Sequence, residues 1–398
     1  MNDRVVLAYS GGLDTSVAVA WLKETTGMDV IAVVVDVGQG GDFNKISQRA
    51  LSAGAIDCVV IDARDEMAND FVVPAIRANA LYEGRYPLVS ALSRPVIVRH
   101  LVETARRSGA KSVAHGCTGK GNDQVRFEVG IVSLAPELET LAPARSWGMS
   151  RAELLEYAHE HGIEVEAAVG KLYSIDENLW GRAIECGVME DPWASPPEDV
   201  YELTTQRETT PREVVISFEQ GIPVAIDGEK LNLADLIALI SEIAGSYGWG
   251  RIDMVENRRV GIKSRETYEC PGALAILLAH SDLESITLER DLAHEKMRLE
   301  PRWAELVYDG MWFSPLKQAL DAFISESQKS VTGDVRLKFS PGNCTVLGRR
   351  SELSLYDYGL ATYDPEDTFK HEYAEGFVQV WGTSLSTWAR IQGVDSSR

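Results

Sequence analysis

Short apolar runs alternate with amphipathic stretches over the first third of the chain. Val5 to Tyr9, Val30 to Val35, Asp57 to Ile61 and Ser112 to His115 read as strands. Between them, Ser16 to Thr25, Phe43 to Ala53, Asp65 to Ala80 and Arg94 to Ser108 carry apolar residues at helical spacing. The run Val30-Ile31-Ala32-Val33-Val34-Val35 is apolar at every position, the mark of a strand covered on both faces and hence of a parallel sheet. The pattern predicts an α/β fold that opens with a doubly wound parallel-sheet domain. A helix at Arg151 to His161 follows, and then a segment, Glu190 to Glu198, whose three prolines exclude continuous helix or central strand and make it a connection.

The second half changes character. Hairpins are predicted at Val214 to Phe218 with Val224 to Ile226 around Gln220-Gly221, and at Val335 to Phe339 with Thr345 to Leu347 around Pro341-Gly342-Asn343. Helical spacing recurs at Leu233 to Ser246, Gly272 to His280, Leu283 to Leu299 and Pro315 to Ser327, which makes this half α+β. At the end of the chain Phe377, Trp381, Leu385, Trp388 and Ile391 fall on one face of a single helix, an arm that docks on its own domain or on a neighbouring subunit. The expected division is a nucleotide-binding domain over residues 1–168, a synthetase and multimerisation domain over 169–365 and an oligomerisation arm over 366–398.

Composition narrows the class of protein. With 398 residues and ordinary globular usage, two or three domains of about 150 residues each are expected. Asp plus Glu number 60 against 39 Lys plus Arg, a formal charge of −21, which argues against binding nucleic acid through neutralised phosphates. No stretch approaches the ~18 apolar residues of a membrane helix, so no membrane partner is expected. The apolar run after Met1 is too short for a signal peptide. Five cysteines, odd in number and without a C-x-x-C, suggest neither a disulfide framework nor a thiolate zinc site, and a cytoplasmic protein is expected.

Two strings carry chemistry. Ala8-Tyr9-Ser10-Gly11-Gly12-Leu13-Asp14-Thr15-Ser16 follows the first strand and opens the first helix. Its glycines let backbone N–H groups approach an anion, and the hydroxyls of Ser10, Thr15 and Ser16 add donors at a helix N-terminus that favours negative charge. Asp14 would repel phosphate unless a divalent cation lay between, so it reads as linked to Mg²⁺ or as capping the loop. No G-x-G-x-x-G stands in this turn, and no G-x-x-x-x-G-K-[ST] occurs anywhere, which weakens dehydrogenase-like and kinase-like readings. The second string, His115-Gly116-Cys117-Thr118-Gly119-Lys120-Gly121-Asn122-Asp123-Gln124-Val125-Arg126-Phe127-Glu128, also follows a strand. Its polar set suits a ligand bearing both carboxylate and ammonium: Arg126 and Asn122 for the first, Asp123 for the second.

The first string resembles the pyrophosphate-binding loop of N-type ATP pyrophosphatases, whose fold is adenine nucleotide alpha hydrolase-like. The second is similar to the matching motif of the argininosuccinate synthetase family, with Cys117 where that family carries Ala. The likeness continues in Leu81 to Leu88, Ser174 to Leu179, Gly250 to Arg258, Lys263-Ser264-Arg265, Tyr268-Glu269 and Ala304 to Tyr308. The resemblance implies ATP-dependent ligation of L-citrulline and L-aspartate to argininosuccinate through a citrullyl adenylate, with release of AMP and pyrophosphate, by a homotetramer using Mg²⁺. It places ATP on Ala8 to Ser16 with Val35 and Gly116, aspartate on Thr118, Asn122 and Asp123, and citrulline on Tyr86, Asn122, Arg126, Ser174, Glu256 and Tyr268. Asp14 and Asp123 are the expected catalytic residues, Asp123 orienting the aspartate amine or accepting its proton.

The family also carries serine hydroxyls near Ser90-Ala91 and at Ala183; the two alanines lack them, which leaves Ser90 as a candidate. No side chain is assigned as a metal ligand, His159 and His161 being read as a helix end. His115 is read as structural rather than as a general base, Cys117 as passive, and Arg258, Arg259, Lys263 and Arg265 as a solvated or subunit-facing cluster. The alternatives are a GMP-synthetase-like amidotransferase, which would need a glutaminase nucleophile, and a non-catalytic nucleotide sensor.

Overall fold

The computed structural model describes residues 2–164 and 173–393, so the expected boundary between 168 and 169 lies outside the described residues. The chain divides into two compact units, Met1–Leu353 and Ser354–Arg398.

The first unit opens with a five-stranded parallel sheet built from β1 (Arg4–Ala8), β2 (Asp29–Asp36), β3 (Asp57–Asp62), β4 (Ser112–Ala114) and β5 (Glu139–Leu141), in the order β3-β2-β1-β4-β5. The unbroken apolar run of β2 works as expected. Ile31, Val33 and Val35 enter one core layer, and Val30, Ala32 and Val34 the layer on the opposite face. Helix α1 (Leu13–Thr26) covers the second face together with α2 (Phe43–Ser52), whose Asp42 side chain caps the N–H groups of Asn44 and Lys45.

The single helix expected over Asp65 to Ala80 is instead α3 (Arg64–Glu66), a π-helical stretch at Met67–Val72 and α4 (Val73–Arg77). Pro74, at the start of α4, lacks an N–H and its ring crowds the preceding turn, so the backbone there widens rather than continuing regularly. Helix α5 starts at Val89, five residues before the expected Arg94, and runs to Ser108 with Pro95 inside it. Helices α6 (Asp123–Leu134), α7 (Pro143–Ser146) and α8 (Arg151–Glu160) complete this part, α8 held at its start by a Ser150–Glu153 capping box.

The order of strands positions the site. β1 and β4 are hydrogen-bonded neighbours, Val6 opposite Val113, and their connections leave in opposite directions. The crevice beyond their carboxyl ends is the switch point where open α/β sheets take ligands. Both glycine-rich strings open there.

Two antiparallel sheets follow. β6 (Ser174–Asn178) and β7 (Gly181–Glu185) pair with β11 (Arg251–Asn257) and β12 (Lys263–Glu269) in the order β11-β12-β7-β6. β8 (Arg212–Glu219), β9 (Ile222–Ile226), β10 (Glu229–Lys230), β13 (Gly333–Ser340) and β14 (Asn343–Arg350) form the other, in the order β10-β9-β8-β13-β14, with both predicted hairpins in place. Helix α9 (Leu233–Ser246) runs over the predicted span. The helix expected over Leu283 to Leu299 is a correction: α10 (Pro271–Thr287) ends there, Leu288 is extended, and the Glu289 carboxylate caps a new helix, α11 (Arg290–Tyr308), by accepting from the N–H groups of Asp291 and Leu292. α12 (Pro315–Ser327) follows as predicted.

In the second unit, after the short α13 (Tyr358–Ala361), the aromatic stripe lies on two helices rather than one, α14 (Glu372–Trp381) and α15 (Thr383–Gln392), interrupted at Gly382.

Candidate active site

The turn after β1 has the geometry of an anion cradle. Gly11 sits at φ +77, and a side chain there would meet Ile46 at 3.1 Å, so both conformation and space call for glycine. The carbonyl of Gly11 accepts from the Arg49 guanidinium at 2.5 Å. Gly12 occupies the N-cap of α1 with no side-chain cap, which leaves the first-turn N–H groups without a capping side chain. The Ser10 and Thr15 hydroxyls lie 3.2 Å apart at this mouth. Ser16 differs from the expectation drawn for its hydroxyl: it is fully buried and hydrogen-bonded to the Tyr9 hydroxyl at 2.8 Å, so both side chains brace the turn from beneath. Ala8 ends β1 and Val35 lies near the end of β2, nearly buried. Asp14 is exposed in the first turn of α1, where burial nearby raises its carboxyl above the usual range despite Arg151. Gly12 holds the cap position, so the capping role considered for Asp14 does not arise.

The second string meets the first at Gly116, where a side chain would stand 3.1 Å from the Thr15 methyl. Beyond it opens a cavity of 190 Å³. All nine residues expected to hold the amino acids line it: Tyr86, Ser90, Thr118, Asn122, Asp123, Arg126, Ser174, Glu256 and Tyr268. Ala183 lines it too, while Ala91 is buried in α5, so Ser90 is the hydroxyl that faces the cavity.

The floor of the cavity is one face of the four-stranded sheet. Tyr268 pairs with Ala183, Asp176 with Ala183 and Ser174 with Glu185, so these residues share a face with Glu266, and Glu256 joins them across the β11–β12 register. Ion pairs tie the walls together. Arg94 donates to Asp123 at 2.7 Å and to Asp176 at 2.7 Å, and Arg126 donates to Asp123 at 2.7 Å and to the Tyr308 carbonyl at 3.0 Å. Burial alone would raise the Asp123 carboxyl, but the two guanidiniums outweigh it and bring it to about 2. The Tyr308 hydroxyl donates to Glu256 at 2.6 Å and accepts from Asn122 at 2.7 Å. Tyr86 stacks on Tyr268 with ring centres 4.3 Å apart and accepts the Ser90 N–H at 2.9 Å.

Sequence reasoning passed over Arg94, Asp176, Glu185, Glu266 and Tyr308 as site residues. Asp176 and Tyr308 lay in quoted motifs without being singled out, and nothing in linear spacing links Arg94, Glu185 and Glu266 to the glycine strings. The solvated cluster needs correcting at Arg258, which lines the cavity between Glu185 at 2.6 Å and Glu266 at 2.7 Å. Arg259 pairs with Asp309, and Arg265 with Asp253. His115 is buried, accepts the Cys117 N–H at Nδ1 and reaches Glu128 through Nε2, with burial lowering its pKa; both nitrogens are engaged. Burial pushes the Cys117 thiol well up, which disfavours the reactive thiolate. Among the described residues no group of three or more His, Cys, Asp or Glu could hold a metal ion, and no helix is long and apolar enough to cross a membrane.

A parallel α/β sheet with a glycine-rich turn at its switch point, facing a cavity lined by carboxylates, guanidiniums and hydroxyls, is the arrangement of a nucleotide-dependent enzyme with a polar substrate. Family models refine this. The arginosuccinate synthase N-terminal HUP domain matches residues 4–164 and the arginosuccinate synthase C-terminal domain matches residues 173–388. The chain belongs to the arginosuccinate synthase family, and it catalyses the ATP-dependent ligation of citrulline and aspartate in arginine biosynthesis. A solved structure titled as a predicted subunit of tRNA methyltransferase from Methanocaldococcus jannaschii is similar over 40% of this chain and 76% of its own, at 13% identity and a TM-score of 0.28, too low to carry an argument.

Proposed function

We propose that the turn Ala8 to Ser16 holds the ATP phosphates, with Val35 beside the adenine and Gly116 against the nucleotide, and that the cavity holds both amino acids. What supports this reading is one juxtaposition: Gly116 packs on Thr15, so the wall carrying Thr118, Asn122 and Asp123 begins where the phosphate cradle ends.

The neutral ureido oxygen of citrulline attacks the α-phosphate and pyrophosphate leaves along the cradle. The N–H groups of the first turn of α1 and the Ser10 and Thr15 hydroxyls donate to the departing oxygens. Adenylation turns the ureido oxygen into a good leaving group, AMP. The amine of aspartate then attacks the activated carbon. A carboxyl brought to about 2 is a weak base, so Asp123 orients the amine by accepting its N–H, and the chemistry relies on positioning.

Asp14, an exposed carboxylate at the mouth of the cradle, is a hard oxygen donor of the kind that shares Mg²⁺ with nucleotide phosphates. Such an ion supplies charge neutralisation for the leaving pyrophosphate. The exposed Phe377, Trp381, Leu385, Trp388 and Ile391 support a homo-oligomer, which we take as a tetramer, and the five free cysteines suit the cytoplasm.

The experiment is AMP release from MgATP with aspartate and citrulline labelled with ¹⁸O at the ureido oxygen. Label in AMP is the expected result. Label-free AMP would exclude attack by that oxygen, and an Asp123→Asn enzyme at near-parent rate would remove Asp123 from the site.

A further inference from the structure

The wall of the cavity around Tyr268 is short of positive charge. Glu185 from β7, Glu256 from β11 and Glu266 from β12 meet there, with Arg258 as the one guanidinium bonded among them. Arg126 from α6 is committed to Asp123 and Tyr308, and the remaining neighbours, Cys186 after β7, Tyr86 before α5 and Tyr308 at the end of α11, are neutral at ordinary pH.

Within this wall the Tyr268 hydroxyl touches two carboxylates at once. It is hydrogen-bonded to Glu256 and lies 2.7 Å from Glu266 Oε2. A phenol has one proton to donate. Glu256 already accepts from Tyr308 and has no donor of its own when ionised, so a chain in which Tyr268 donates to Glu256 closes only if the second contact is an O–H from Glu266 to the phenol oxygen. Arg258 does not supply that donor, because it bonds the other oxygen, Glu266 Oε1.

We propose that Glu266 is a specificity-determining residue for the head group of citrulline: it holds a proton in the empty cavity, donated to Tyr268, and releases it to solvent when the α-ammonium of citrulline enters beside Glu256 and Glu266. This rests on the placement of citrulline in this cavity. The ureido end of citrulline must face the phosphate cradle at Gly116, so its zwitterionic end faces the opposite wall, where β11 and β12 present these carboxylates. The ammonium brings three donors and a positive charge into a group of three carboxylates and one guanidinium, and the proton becomes redundant. Burial, with the charges of Glu256 and Glu185 added, pushes the Glu266 carboxyl up to about 8 in spite of Arg258, so near neutral pH the proton is there to be released.

The test is calorimetric titration of citrulline into the full-length protein near neutral pH, in two buffers of different ionisation enthalpy, which counts protons exchanged per citrulline bound. The expected result is release of close to one proton by the parent, and none with 5-ureidopentanoate, which lacks the ammonium. Glu266→Gln is expected to abolish the release and to weaken citrulline roughly ten- to a hundredfold, with ATP affinity unchanged. No proton release by the parent overturns the proposal, a result independent of whether the variant folds. Release that persists in Glu266→Gln also overturns it. Glu256→Gln separates the two levels: if neither glutamine variant alters citrulline affinity, the placement of citrulline fails as well, whereas loss of affinity in Glu256→Gln alone refutes only the role of Glu266.

Discussion

Arg94 shows how a residue acts at this site through others. Its Nη2 donates to both Asp123 and Asp176 and its Nε adds a second bond to Asp123, a planar arrangement that the point charge of a lysine does not reproduce. Arg94→Lys is expected to lower kcat/KM for aspartate roughly ten- to a hundredfold while leaving KM for ATP in place, as steady-state kinetics would read. The two shifted carboxyls have opposite consequences for pH. Asp123 is drawn down to about 2 when folded, so its share of stability is present above the ordinary value of 3.8 and is lost as pH falls from there through about 2. Glu266 is raised from 4.5 to about 8, so its share is present below 4.5 and is lost as pH rises from there through about 8. The melting temperature of the empty parent should therefore decline over that second window, and Glu266→Gln should flatten the decline in thermal scans at stepped pH. None of these couplings was legible beforehand. Arg94 and Asp123 stand 29 positions apart, and what joins them is the packing of α5 on α6.

At the scale of elements, the two glycine strings were readable because each does its work within a dozen consecutive residues, directly after a strand. Their backbone requirements are correspondingly local. Gly116→Ala places a methyl 3.1 Å from Thr15, and the close approach of the two loops should loosen by about 1–3 kcal/mol, seen as a raised KM for ATP. The four-stranded sheet was not readable as strands. Its inward positions Ser174, Asp176, Glu185, Glu256 and Glu266 are polar because they face a ligand cavity, so the apolar alternation that marks a half-buried strand is absent where function is densest. Ala183 sits in the middle of that face, and Ala183→Ser would add a hydroxyl toward the cavity; a lowered KM for citrulline is the expected outcome, measured by initial rates.

For the whole molecule, the exposed apolar stripe of the second unit is the feature that an isolated chain leaves unexplained. Phe377 and Trp381 stack with ring centres 5.8 Å apart and are 63% and 75% exposed. Large contiguous apolar surface of this kind marks an interaction site. Removal of residues from about 370 onward should therefore lower the mass measured by light scattering, and an unchanged mass would reject the arm. The formal charge of −21 belongs to this scale as well, whereas inside the site Arg94, Arg126 and Arg258 are each bonded to carboxylates.

What depends on neighbours in the chain was legible in the sequence: the strand runs of the parallel sheet, the glycine turns that follow β1 and β4, and, through its motifs, the family and nine of the residues that line the cavity. Only the tertiary structure decided what depends on residues far apart. It set Arg258 in the cavity wall instead of in solvent, gave Ser16 to Tyr9, ended α10 at Thr287, and gathered Glu185, Glu256 and Glu266 around one tyrosine. The reason is physical: turn conformation and period-two or helical patterning are local properties of the backbone, whereas the charge state of a carboxyl depends on which groups the fold brings within a few ångströms of it and how much water it excludes.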